Sequence, residues 1–154
     1  MEMFGLFSKK KNTTPAVVEH LKPQLQKIKA KGQRFQINEV TLAYLSAVHM
    51  AASKNASVRT DELRQTVSQL FPDEADQGAL GNAFIAITQQ MGDDYYSKVF
   101  GLLPIAEKEI LSGAGDYYVR YNEFALNATD AMFSRGQDVD SATAGFDSNG
   151  YLRI

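Results

Sequence analysis

The chain has 154 residues, 44% of them apolar and 22% charged, and no cysteine. That length and balance describe one ordinary globular domain that buries enough surface to fold without a disulfide or a metal. The missing cysteine excludes a disulfide framework, a thiolate zinc site, an iron–sulfur cluster and a cysteine nucleophile. The formal net charge of −2 hides an asymmetry: residues 1–34 sum to +6 and residues 35–154 to −8. Between Gln65 and Ser97 there is no Lys or Arg, while Asp73, Glu74, Asp76, Asp93 and Asp94 fall in that stretch.

The first dozen residues are apolar, then basic: Phe4, Leu6 and Phe7 precede Lys9, Lys10 and Lys11. A secretory signal has the reverse order and a longer apolar part, so no export is expected. No stretch approaches the ~20 apolar residues that span a bilayer. These features predict a cytoplasmic location.

From Thr14 onward, apolar residues recur at helical spacing. Val17, Val18, Leu21, Leu25 and Ile28 form a first stripe, with Thr14 as N-cap before Pro15 and Gly32 as its end. Pro23 inside it predicts a kink or a later start. Ile37, Val40, Tyr44, Ala47, Val48 and Ala51 form a second, broken at Asn55, Ala56 and Ser57. Leu63, Val67 and Leu70 form a third, with Thr60 as cap and Asp61 and Glu62 at the positive end of the helix dipole; Phe71-Pro72 stops it.

A fourth stripe runs through Ala79, Leu80, Ala83, Phe84, Ile87 and Met91. Its small residues, Ala79, Gly81, Ala83 and Ala86, predict a close approach to a neighbour, and Gly92 ends it. A fifth holds Tyr95, Val99, Leu102, Ala106 and Ile110, with a break or bend near Pro104. Ser112-Gly113-Ala114-Gly115 is the clearest turn. A sixth runs through Tyr117, Tyr121, Phe124, Ala125, Ala128 and Met132 to Gly136. Residues 137–154 lose helical periodicity, and Asn149-Gly150 predicts a short hairpin or an extended tail. The expected fold is therefore an all-α bundle of five to seven helices (13–136). It is flanked by an apolar and basic segment (1–12) and an irregular or short β-hairpin tail (137–154).

No motif carries catalysis. His20 and His49 each lack a histidine or carboxylate one turn away, so neither starts a helical metal site. His49, beside Val48 and Ala51, reads as a histidine at the edge of the core. Asp138-Val139-Asp140 lacks the remaining ligands of a calcium loop. Neither a phosphate-binding glycine loop nor a Gly-x-Ser-x-Gly elbow occurs. Neither a metal nor a cofactor is expected, and no catalytic residue is assigned.

Three acidic groups stand at predicted helix starts: Asp73, Glu74 and Asp76; Asp93 and Asp94 before Tyr95 and Tyr96; and Asp116 before Tyr117 and Tyr118. Carboxylates there stabilise the helix on their own account. Neighbouring tyrosines point about 100° apart on a helix, so one of each pair is expected to leave the core. Exposed tyrosine beside carboxylate suits a basic protein partner. The expectation is a non-enzymatic protein-binding domain, of the kind represented by bacterial immunity proteins that neutralise a basic toxin or nuclease. Its contact residues would be Asp73, Glu74, Asp76, Asp93, Asp94, Tyr95, Tyr96, Asp116 and Tyr118. The alternative is a peripheral membrane or scaffold component held weakly to a membrane by Phe4, Leu6, Phe7, Lys9, Lys10 and Lys11. Nucleic acid is not expected, because the acidic body repels phosphate.

Overall fold

A computed structural model describes residues 13–55, 58, 60–90 and 93–133. Among them the chain forms six helices and no strand: α1 (Thr14–Ala30), α2 (Glu39–Ser53), α3 (Thr60–Leu70), α4 (Glu74–Gln90), α5 (Asp93–Ser112) and α6 (Tyr117–Phe133). The fold is an all-α bundle. The N-terminal segment 1–12, the helix ends at Gly92 and Gly136, the break at Ala56 and Ser57 and the tail 137–154 lie outside the described residues.

The bundle is built around α2. Every residue from Val40 to Ala51 is buried, so this helix has no solvent face over three turns. A helix that is apolar all round must be enclosed on all sides. Helix α5 packs along it most extensively, and α1 and α4 also lie against it. Its start is fixed by a capping box: Asn38 Oδ1 accepts from the Val40 and Thr41 amides, and Thr41 Oγ1 accepts from the Asn38 amide.

Helix α1 begins one residue earlier than its stripe suggested. Thr13 occupies the cap position but makes no side-chain cap, because its amide and hydroxyl both donate to Glu62 Oε1 at 3.0 Å. Thr14 is inside the helix and buried, donating to the Glu62 carbonyl. Glu62 thus ties the start of α1 to the first turn of α3. Neither Pro23 nor Pro104 interrupts its helix. Both are exposed, as are Glu19 and Phe100 four residues earlier. The carbonyl that each proline leaves unbonded therefore lies on the water side, where the loss is small.

The expected close approach through Gly81 does not occur. A Cβ built there meets nothing within 4 Å, and the residue is exposed. Ala83 is the small residue of α4 that reaches the core.

The connection from α1 to α2 is extended and held by α6. Buried Asn122 accepts from the Gln36 amide at 2.6 Å and donates to the Arg34 carbonyl at 3.1 Å. Tyr118 donates its hydroxyl to the Gln36 carbonyl at 2.9 Å. A buried backbone segment outside regular structure needs such partners, and α6 supplies them.

Because α2 is enclosed, Leu42→Ala should cost about 2–5 kcal/mol of folding free energy. Leu111→Ala, at a side chain 88% exposed, should change it by less than about 0.5 kcal/mol. Urea unfolding followed by far-ultraviolet circular dichroism measures both.

Candidate functional site

Among the described side chains of α5, Glu109 is the one acidic residue turned to the core. It follows Leu102 and Ala106 on the inward stripe and is 7% exposed. Its carboxylate accepts four hydrogen bonds. On Oε1 they come from the Tyr44 hydroxyl and from His20 Nε2 at 3.2 Å. On Oε2 they come from the Asp116 and Tyr117 amides, both at 2.9 Å. The two amides open α6, so the carboxylate of α5 caps the next helix and meets its positive end.

The network extends outward. Gln24 Nε2 donates to the Tyr44 hydroxyl at 3.0 Å, and Gln24 Oε1 accepts from the Tyr118 amide at 2.9 Å. His20 Nε2 faces an ionised carboxylate, so it must carry a hydrogen. Burial pushes the Glu109 carboxyl up; hydrogen bonds from His20, Tyr44 and the two amides outweigh this and hold it below the ordinary carboxylate value. Burial and then the Glu109 charge push the Tyr44 phenol well up, so it stays a donor.

A His–Glu–Tyr grouping can serve acid–base catalysis. Here the chemistry is already used. Glu109 has no oxygen lone pair left for a reactant, and Tyr44 both accepts from Gln24 and donates to Glu109. Gly115 closes the cluster from outside: a Cβ there would lie 2.6 Å from His20 Nε2 and 2.8 Å from Glu109 Oε1. The grouping joins α1, α2, α5 and α6. Among the described residues no three His, Asp or Glu side chains come together as a metal site.

His49 is also structural. It is 1% exposed, with Nε2 2.7 Å from Thr66 Oγ1 and Nδ1 buried without a partner. Protonation would place an N–H where nothing accepts it. Burial accordingly lowers its pKa from 6.5 to about 4, against the nearby Glu62 charge.

The acidic residues expected to meet a partner stand at three helix starts. Asp73 caps α4, which opens with Glu74; Asp93 and Asp94 open α5; Asp116 caps α6. The start of α4 lies 17 residues along that helix from the start of α5, and Asp116 lies beyond the far end of the 20-residue α5. At 1.5 Å per residue the start of α5 is about 25–30 Å along these helices from the other two, whereas the starts of α4 and α6 are neighbours, with the Phe71 and Tyr118 ring centres 6.4 Å apart and the Asp76 charge acting on the Tyr118 hydroxyl. Asp73 and Asp116 are exposed and Asp76 half-buried; the side chains of Glu74, Asp93 and Asp94 lie outside the described set. Burial, then the Asp73 charge, raises the Asp76 carboxyl, against the pull of Lys29.

The tyrosine pairs behave differently from each other. Tyr95 turns inward and shares a 2.7 Å hydrogen bond with Ser46, while Tyr96 is 59% exposed. Tyr117 and Tyr118 are both buried. Tyr118 is thus corrected from a contact residue to a core residue, because its hydroxyl is bonded to the Gln36 carbonyl and its ring packs on Phe71. The membrane candidates Phe4 to Lys11 lie outside the described residues.

What the structure adds is the outer face of α5. Tyr96, Phe100 (51% exposed) and Leu111 (88% exposed) are three of the four large apolar side chains most open to solvent among the described residues. With exposed Pro104 they fall within about 80° of one another around an ideal helix. This stripe is a second apolar face on a helix whose first is already buried.

Three outcomes test the buried networks. Glu109→Gln should cost about 3 kcal/mol, because either orientation of the amide turns an NH₂ toward two existing donors. Gly115→Ala should cost about 1–2 kcal/mol by displacing His20, and less in a His20→Ala background; a double-mutant cycle in urea measures the coupling. Stability should also fall in acid. His49 binds its proton in the unfolded chain near pH 6.5 but in the folded one only near pH 4, so the loss develops between those values and reaches roughly 3 kcal/mol. The depressed Glu109 adds to it at lower pH. Comparing His49→Leu with the parent chain, as unfolding free energy against pH, should show the slope between pH 6.5 and 4 flattened.

Comparison of the chain with protein-family models, with curated proteins and with solved structures yields no match.

Proposed function

We propose that the chain is a non-enzymatic protein-binding domain that meets its partner through the outer face of α5. The observation that carries this reading is the exposed row of Tyr96, Phe100, Pro104 and Leu111. Aromatic side chains on a rigid helix bury much area on contact at little entropic cost, and contiguous exposed apolar surface marks interaction sites. The saturated hydrogen bonding of Glu109 and Tyr44 favours binding over acid–base chemistry at the polar cluster.

The partner's chemistry follows from charge. Residues 35–154 sum to −8, and Glu107 lies exposed within the apolar row. A partner with apolar side chains flanked by Lys or Arg complements this face and is drawn to it at long range. Within that class we favour an antagonist of the immunity type, which neutralises a basic bacterial toxin or nuclease by covering it.

The test is affinity capture from the native host with the tagged full chain, at low and at high salt, beside a Phe100→Asp chain. Support would be a net-basic protein held at low salt, released at high salt and lost with Phe100→Asp. Capture unaffected by salt and by the substitution would overturn the reading.

A further inference from the structure

The solvent face of α1 is basic, on a chain whose remainder is acidic. From Lys22 to Arg34 every charged residue is positive: Lys22, Lys27, Lys29, Lys31 and Arg34, all five exposed. Glu19, the acid of α1, stands a turn earlier. Around an ideal helix Lys22 and Lys29 lie about 20° apart, and Lys27 and Lys31 about 40° apart, on opposite edges of the exposed arc. Pro23, Gln26 and Ala30 lie between the two lines, all exposed and uncharged.

The fold uses little of this charge. Cations stabilise a helix C-terminus, but the effect fades within the last turn. Lys27 and Lys29 stand in that turn; Lys22 precedes it and Arg34 follows the helix. Lys31 Nζ lies 3.7 Å from Glu123 Oε1, with both side chains nearly half exposed, and an exposed pair of that kind is weak. Lys29 Nζ stands 5.9 Å over the Phe35 ring. Among the described residues Lys22 and Lys27 make no ion pair. The stem of lysine is long and flexible enough to turn both lines of ammonium groups to one plane. In the sequence, Phe4, Leu6, Phe7 and Lys9 to Lys11 come just before α1. A basic patch and a short apolar segment together hold a chain at a bilayer where either alone is weak. The exposed face of α1 carries no aromatic ring on which a base could stack, so a lipid surface suits it better than a nucleic acid.

We propose that the basic face of α1 docks on an anionic membrane surface, with Lys22, Lys27, Lys29, Lys31 and Arg34 against the lipid headgroups. Residues 35–154 sum to −8, so the chain's own field turns this face toward the lipid and the acidic body away from it. Docking uses none of Tyr96, Phe100 and Leu111, and the α5 face stays available while the chain is held at the surface.

The test is co-sedimentation of the full chain with vesicles of phosphatidylcholine alone and of equal parts phosphatidylcholine and phosphatidylserine. Binding is expected on the mixed vesicles only, and should be lost at high salt. One lysine near such a surface contributes about fivefold. Lys22→Gln and Lys27→Gln should therefore each weaken binding about fivefold, and together about 25-fold. Lys108→Gln removes the same charge from an exposed position on α5 and should change binding less than about twofold. Circular dichroism checks that each variant keeps its helices. Absence of binding to the mixed vesicles overturns the proposal, and so does equal binding to both compositions. A loss with Lys108→Gln as large as with Lys22→Gln reduces the effect to net charge and also overturns it. Binding that ignores Lys22→Gln and Lys27→Gln but disappears when Lys9, Lys10 and Lys11 become Gln moves the contact to the first dozen residues, against the α1 face. A chain that ignores vesicles and retards a DNA duplex has a nucleic-acid surface instead.

Discussion

The fold depends on a carboxylate that has left water. Glu109 stands on the inward stripe of α5, where an unpaired charge would cost several kcal/mol. Four donors from three other parts of the chain keep it there: His20 on α1, Tyr44 on α2, and the first amides of α6. The last two would themselves be orphans without it. The charge and the helix start are therefore two costs that cancel. Apolar packing brings α1, α2, α5 and α6 together; this network selects one arrangement among those that packing alone would accept.

The second constraint is the enclosed α2. A helix without a solvent face must be covered by several others, and this sets the order of the molecule. It also sets the fate of the tyrosines. Tyr44 reaches from α2 to Glu109. Tyr95 reaches back to Ser46. Tyr117 packs on Tyr44 with ring centres 5.1 Å apart. Among the described tyrosines, what remains outside is Tyr96, one residue on from Tyr95.

Most helices were legible because their stripes are regular: Leu63, Val67 and Leu70, or Val99, Leu102 and Ala106. The prolines misled because the rule against them is a rule about helix interiors in general, whereas Pro23 and Pro104 face water. The acidic clusters were legible as helix starts but not as places in the fold, since only packing brings Asp76 near Tyr118 while the 17 residues of α4 separate its own start from that of α5. Tyr118 was misjudged because its partner is the backbone carbonyl of Gln36, 82 residues away in sequence. Glu109 was missed, though it carried a signal: a carboxylate in register with Leu102 and Ala106, seven residues before a helix start. His20 and Gly115 carried none that a single stripe could show. The apolar row of α5 was also readable, yet Phe100, Pro104 and Leu111 fall outside the core stripe, where periodicity draws no notice.

The spacing of Glu109's partners has a consequence for how the chain assembles. Its bonds to Asp116 and Tyr117 close a loop of seven or eight residues, and its bond to His20 one of 89. Short loops close early and distant ones late. The turn at Gly113 and Gly115 can thus join α5 to α6 while both are still wet, with the carboxylate already holding the new helix end. Helix α1 then arrives upon a charge that is half satisfied. Loop closure thus favours dehydration of a preassembled site over the burial of a naked ion.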